Sequence, residues 1–311
     1  MPAIITHHLF GEDAAKLLPK DIVSDEEELL AFLLGNQGPD PLFACISTFP
    51  EQAKLCHKLG WELHERKIVD AFWVLRDAVS HLRCEDERIG LAWSLGYLGH
   101  YALDSAAHPL IYAQQDELAR AAYGLEDASE EIHALLESEI DVWMLRQLRG
   151  INVTDVPTYS YLARTERISQ VAGALMAQVG LQVYGLPIGV AAYGGAVADY
   201  ELVYRFIEPA GSMHTRLATK IEQLIRPNHY SRILAMTHVV SESDACAAAN
   251  LEQRRWINPA DGKPRTESFP DLYHLGLERW ESLSHCLSSG DRKGFAQIVN
   301  SLNFDGKPDM G

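Results

Sequence analysis

The segment GYLGHYALDSAAHPLIY, residues 96–112, places His100, Asp104 and His108 at intervals of four. On an α-helix, residues four apart differ by about 40° in direction and about 6 Å in height, so His100 and Asp104 reach one ion from the same face. His108 lies one turn further along, placed for a neighbouring ion. A second ladder, HALLE, sets His133 and Glu137 at the same interval. Imidazole and carboxylate are the usual ligands of catalytic zinc, and helical bundles build such sites from facing helices. A single pair at this spacing is commonly a surface contact. Here Leu95, Tyr97, Leu98, Tyr101, Ala102 and Leu103 make the surroundings apolar, where an uncompensated carboxylate is costly to bury and a cation would offset the cost. The second ladder is more polar, which leaves Glu139 and Asp141 readable as a solvated acidic face.

Other residues of the same chemical types are scattered along the chain. In GNQGPDPLF, Asp40 sits between two prolines after two glycines, a rigid turn that holds a carboxylate in a fixed direction. LGWELHERK carries His64 within a long helical pattern, with His57 on a similar face. ITHHLFG carries His7 and His8, of which at most one is a ligand, because adjacent residues on a helix point different ways. THVVSESD puts His238 and Glu242 four apart, but no second group completes a site there, and the remaining C-terminal histidines read as structural or exposed. Trp61, Trp93, Tyr97, Tyr101 and Trp143 lie near these segments, mostly as core aromatics.

Helices must position these groups, because apolar residues recur at three- and four-residue intervals and strict alternation is almost absent. The chain is therefore read as all-α. SDEEELLAFLLG has a Ser cap, early acids and a stop at Gly35. Residues 50–82 supply a long helical pattern broken near Gly60, and further helices are read at 86–108, 128–149, 159–180, 197–208, 213–225, 229–252, 270–288 and 291–302. GNQGPDPLF and RRWINPADGKPRTESFPDL are the clear loops. The Gly-rich run 185–196 separates a metal-binding helical core, 1–184, from a C-terminal helical layer, 185–311, packed as part of one domain.

A net charge of −16 argues against long nucleic acids or anionic surfaces as partners held by bulk electrostatics. Five cysteines without CxxC spacing point to reduced thiols in a cytoplasmic protein. No secretory leader or membrane span is evident, and no amphipathic basic helix marks a membrane-docking face.

The order THH, GNQGPD, LGWELH, GHYALDSAAHP, HALLE resembles the bacterial zinc-dependent phospholipase C family, including an intracellular branch whose members begin much like MPAIITHHLFGED. The resemblance is strong over residues 1–150 and continues more weakly through NLEQRRWINPADGKPRTESFPDLY. It implies a multi-helix bundle of the type shared with single-strand nucleases, two or three Zn2+ ions, and hydrolysis of a phospholipid or related phosphodiester. Carried over, Asp40, His64, His100 and Asp104 gather a central zinc, His108, His133 and Glu137 hold a second, and His7 with Asp104 binds a third. Secreted members complete that third site with an N-terminal Trp, whereas this chain begins Met1-Pro2. Closely spaced zinc ions would lower the pKa of a bridging water, with Asp40 as both ligand and base directing hydroxide at phosphorus. The alternatives are a non-hydrolytic metal-binding bundle, either an iron redox site or a zinc-stabilised scaffold, and a nuclease-like phosphodiesterase. The four-residue spacing and loop Asp disfavour iron, since redox bundles repeat Glu-xx-His at three.

Overall fold

The computed structural model describes residues 4–19, 22–46, 50–121, 124–125 and 127–311. Among these, the chain forms twelve α-helices: α1 Ile4–Ala15, α2 Glu26–Gly35, α3 Pro50–Glu65, α4 Ile68–Val79, α5 Cys84–Ala121, α6 Ser129–Arg149, α7 Glu166–Tyr184, α8 Ala191–Ile207, α9 Met213–Ile225, α10 Arg232–Met236, α11 Phe269–Ser289 and α12 Arg292–Val299. Short 3-10 turns occupy Asp40–Ala44 and Thr158–Leu162, and the one described sheet is the antiparallel pair β1 Trp256–Ile257 and β2 Pro264–Arg265. The protein is all-α.

Helix α5 is the axis of the fold. It packs against α1, α2, α4, α6, α7 and α11, and almost every residue from Ile89 to Ile111 is buried, so a hydrophobic surface surrounds it on all sides. Residues on both sides of position 184 contribute to one buried hydrophobic core, including Trp93, Tyr101, Tyr193, Tyr200 and Trp280. The approach of α2 to α5 depends on two facing glycines. A Cβ on Gly35 would lie 2.2 Å from the Trp93 carbonyl oxygen, and one on Gly96 would lie 2.0 Å from that of Phe32. This backbone contact brings the loop after α2 against the middle of α5.

Several local expectations change once packing is seen. The cap of α2 is Asp25, which accepts the Glu28 N–H, while Ser24 donates its N–H and hydroxyl to the Glu28 carboxylate. The break in the 50–82 pattern falls at Lys67, at φ 58°, and not at Gly60. There the Asp309 carboxylate accepts the N–H groups of Lys67 and Ile68 and so starts α4 from the far end of the chain. Helix α5 does not stop at His108. It runs through Pro109, which frees the Ser105 carbonyl from its helical bond, and the C-terminal segment at Gly306 packs onto that point.

Of the helix read at 229–252, only Arg232–Met236 forms. Beyond it the chain leaves helical geometry to bury His238, the ring of which lies between Asp141 and Glu208. His238 and Glu242 therefore share no helix face. The absence of an amphipathic helix with basic residues is also corrected: α9 buries Thr215, Ala218 and Thr219 and turns its apolar residues outward. Helix α1 and the start of α8 within the Gly-rich run are elements the periodicity did not mark.

Candidate metal centre

Eight side chains from five segments meet beside the middle of α5. Helix α5 supplies His100, Asp104 and His108; α6 supplies His133 and Glu137; α3 supplies His64; α1 supplies His7; and the 3-10 turn after α2 supplies Asp40. They form an alternating series of imidazoles and carboxylates. His64 Nε2 is 3.2 Å from Asp40 Oδ1, which is 3.7 Å from His100 Nε2. His100 Nε2 is 3.0 Å from Asp104 Oδ2, and Asp104 Oδ1 is 3.1 Å from His7 Nε2 and 3.8 Å from His108 Nε2. Glu137 Oε1 then lies 3.4 Å from His108 Nε2 and 3.2 Å from His133 Nε2.

Three subsets have ligand atoms all within 4.8 Å of one another: His7 with His100 and Asp104; Asp40 with His64 and His100; and His108 with His133 and Glu137. The sequence reading assigned Asp104 both to the group of Asp40, His64 and His100 and to that of His7; here it falls with His7 and not with Asp40 and His64, and His100 belongs to both groups.

The hydrogen bonds behind these rings decide which nitrogen faces the centre. His64 Nδ1 lies 2.7 Å from the Gly60 carbonyl oxygen, His100 Nδ1 lies 3.0 Å from that of Asn36, and His108 Nδ1 lies 3.0 Å from that of Phe304. His133 Nδ1 lies 3.0 Å from the Gln115 amide oxygen. Each of these oxygens can only accept, so each Nδ1 carries a proton and Nε2 is the ring nitrogen turned toward a carboxylate. This is the arrangement that outer partners impose on metal-ligating histidines. Gly38 makes room for it: at φ +56°, a Cβ there would lie 2.3 Å from the His100 ring.

Lone pairs facing carboxylate oxygens need a shared positive charge. His100 Nε2 is buried without a hydrogen-bond partner even though Asp104 Oδ2 is 3.0 Å away, because the two atoms do not point along one hydrogen bond. Without a metal, protons supply part of the charge. Burial opposes it, but Asp104 and Asp40 raise the pKa of His100, and Asp104 and Glu137 lift that of His108 to about 10. In His7 burial and the stacked His100 ring, 4.0 Å away, outweigh Asp104 and pull the pKa down. The carboxyl groups stay ionised despite burial: His100 and His64 hold Asp40 at about 2, and the surrounding imidazoles hold Asp104 and Glu137 well below the usual range. Buried anions facing the lone pairs of pinned imidazoles fit divalent zinc, which accepts nitrogen and oxygen donors.

Other residues fall outside these groups. His8 points away, 3.6 Å from Glu12 and against the Tyr161 ring. His57 Nε2 bonds to the Cys45 carbonyl at the rim. Trp93, Tyr97 and Tyr101 are core, whereas Trp61 is exposed at the mouth of a cavity of about 560 Å3 that His7, Asp40, His64, Asp104, His108, His133 and Glu137 line.

One carboxylate near the centre went unnoticed in the sequence, and another was misread. Asp305 lies 3.8 Å from His108 Nδ1 and accepts a hydrogen bond from the Tyr112 hydroxyl at 2.8 Å. It belongs to a C-terminal segment that carries no ladder. Asp141, read as part of a solvated face, is fully buried. Its oxygens accept the Ile5 N–H at 3.0 Å and the Thr6 N–H at 2.7 Å, at the positive end of α1. It thereby holds the turn that carries His7.

Residues 6–180, more than half of the chain and a span that contains all eight converging side chains, match the family model described as zinc dependent phospholipase C. No curated protein and no solved structure matches the chain. No described helix is long and apolar enough to cross a membrane. With its all-helical architecture and its paired imidazole and carboxylate groups, the chain belongs to the zinc-dependent phospholipase C family.

Proposed function

We propose that the protein hydrolyses the phosphodiester bond of a phospholipid or a related small phosphodiester, using zinc held by the converging side chains. The observation that carries this reading is the set of three adjoining ligand groups, which together open onto a cavity large enough for a head group. His108, His133 and Glu137 would hold one ion, Asp40, His64 and His100 a second, and His7 with Asp104 and His100 a third. Zinc bound there supplies Lewis acidity toward the phosphoryl oxygens and acidifies water near neutral pH.

This chain's own residues supply orientation and proton acceptance. The Nδ1 bonds of His64, His100, His108 and His133 keep each Nε2 lone pair aimed inward, so that no ring has to reorganise as charge develops. Asp40 is the assigned base. It is ionised, lines the cavity and is held by a short turn, so its carboxylate orients water and takes up the proton that water releases. The net charge of −16 favours small diesters over long nucleic acids.

Elemental analysis of the purified protein and of Asp104→Ala, paired with turnover of a chromogenic phosphodiester, tests this reading. The expected result is more than one zinc per wild-type chain, with zinc and turnover falling together in the variant by roughly a hundredfold in rate or more. Wild type that holds no zinc after reconstitution, or holds iron instead, overturns it. Full zinc content and full turnover in Asp40→Asn would remove Asp40 as the base.

A further inference from the structure

Helix α9 is amphipathic in the unusual sense. Its inner face is small and polar, Thr215, Ala218 and Thr219, while Met213, Leu217, Leu224 and Ile225 stand 84%, 51%, 83% and 75% exposed. Ile221 is exposed on the same stripe, and Tyr230 and Leu234, beyond the helix, are exposed as well. At about 100° per residue these side chains fall on one arc, and Arg216 and Lys220 fall along its edge. Burying α9 against the bundle therefore leaves its hydrophobic face in solvent, a patch of the kind that marks an interaction surface.

Charge indicates what covers it. The chain has 43 acidic and 27 basic residues, yet residues 213–232 contain Arg216, Lys220, Arg226, Arg232, His214 and His229 against Glu222 alone. Glu222 is already engaged by Arg226, Ser231 and the Arg232 N–H, while Arg226 and Arg232 also pair with Glu131. Arg216 and Lys220 make no ion pair among the described residues and stay available beside the apolar stripe. A second copy of the chain docked here about a two-fold axis would set like charges face to face. An anionic lipid surface satisfies both components, taking the side chains into the acyl boundary and the cations at the phosphates.

The patch is also linked to the cavity through α10. Helix α9 packs on α10, which packs on α6, and α10 lends Arg232 and Met236 to the lining of the cavity that the metal groups share. We infer that α9 docks the protein on an anionic phospholipid membrane, with its exposed apolar stripe inserted and Arg216 and Lys220 against the head groups, so that the cavity meets lipid at the interface. The strong negative charge elsewhere repels the same surface and selects this orientation. The inference rests on the phospholipase reading for its purpose, and its test is separable from that reading.

The full-length zinc-loaded protein is sedimented with vesicles of phosphatidylcholine alone and with about 30% phosphatidylserine added, at low and at physiological salt. Wild type is expected to partition at least roughly tenfold more strongly onto the anionic vesicles, less so at high salt, and Arg216→Ser/Lys220→Ser to lose that preference. Leu217→Ser/Leu224→Ser is expected to lose binding to both, with zinc content and melting midpoint as evidence of an intact fold. Wild type that stays in the supernatant, or variants that bind as well as wild type, overturns the docking. So does a wild-type dimer that Leu217→Ser/Leu224→Ser converts to monomer without any vesicle binding, since a second copy then covers the stripe. Anionic-vesicle binding in a protein that turns over no soluble diester supports docking and refutes the hydrolase.

Discussion

Asp141→Asn should uncouple helix α1 from the bundle. One Asp141 oxygen accepts the Thr6 N–H, and the other accepts both the Ile5 N–H and, at 3.1 Å, the His238 Nε2–H. An amide has only one such oxygen, so a helix N–H or the imidazolium is left facing an NH2 group. Removing one member of a buried charge pair typically costs about 3–5 kcal/mol. The pair also has a pH signature. Burial pulls the His238 pKa down, but its hydrogen bonds to the accepting Asp141 and Glu208 carboxylates hold it at about 9, above the ordinary 6.5, with the Tyr204 ring stacked on it. A histidine raised on folding stabilises fully below pH 6.5 and loses that contribution as pH rises through about 9. For a shift of this size the loss is about 3 kcal/mol. Urea unfolding of metal-free wild type should therefore show a fall of at least that order between pH 6 and pH 10, with the raised His100 and His108 adding to it. The variant should start about 3–5 kcal/mol lower at pH 6 and show a shallower alkaline fall. In the zinc-loaded protein, release of the α1 turn should weaken the group that contains His7 and spare the one formed by His108, His133 and Glu137. A variant within about 1 kcal/mol of wild type at pH 6, with the same alkaline fall, would refute the anchoring role.

Three other outcomes follow from the geometry. Gln115→Leu removes the oxygen behind His133 Nδ1 and should weaken zinc at that group by about 10- to 100-fold in chelator competition, with little change in urea midpoint. Gly38→Ala puts a Cβ 2.3 Å from the His100 ring at a positive φ, so it should cost at least about 2 kcal/mol and lower zinc content; unchanged binding would show that the loop relaxes freely. Tyr112→Phe deletes the hydroxyl bond to Asp305 and should cost about 1 kcal/mol, read by urea unfolding.

The two ladders were legible without a structure because helix geometry is local. Spacing alone puts His100, Asp104 and His108 on one stripe and His133 and Glu137 on another, and α5 and α6 carry them in that way. Apolar periodicity likewise marked the chain as helical, and most helix positions followed from caps and stops. The order of motifs, through its resemblance to a family, drew Asp40, His64 and His7 into the same group, which no periodicity does.

What was not legible depends on contacts distant in sequence. The continuation of α5 past Pro109, the start of α4 at Lys67 and the end of α10 before His238 each reflect a partner from elsewhere: the C-terminal segment, Asp309, and the Asp141–Glu208 pair. Local propensity cannot register such a partner. Asp141 and Glu139 are two residues apart in one acidic run, yet only Asp141 turns inward to α1. The same limit applies to α9. Its pattern of apolar and small polar residues specifies an amphipathic helix, but which face meets the bundle was decided by packing against α8 and α10, and that choice left the apolar stripe in solvent.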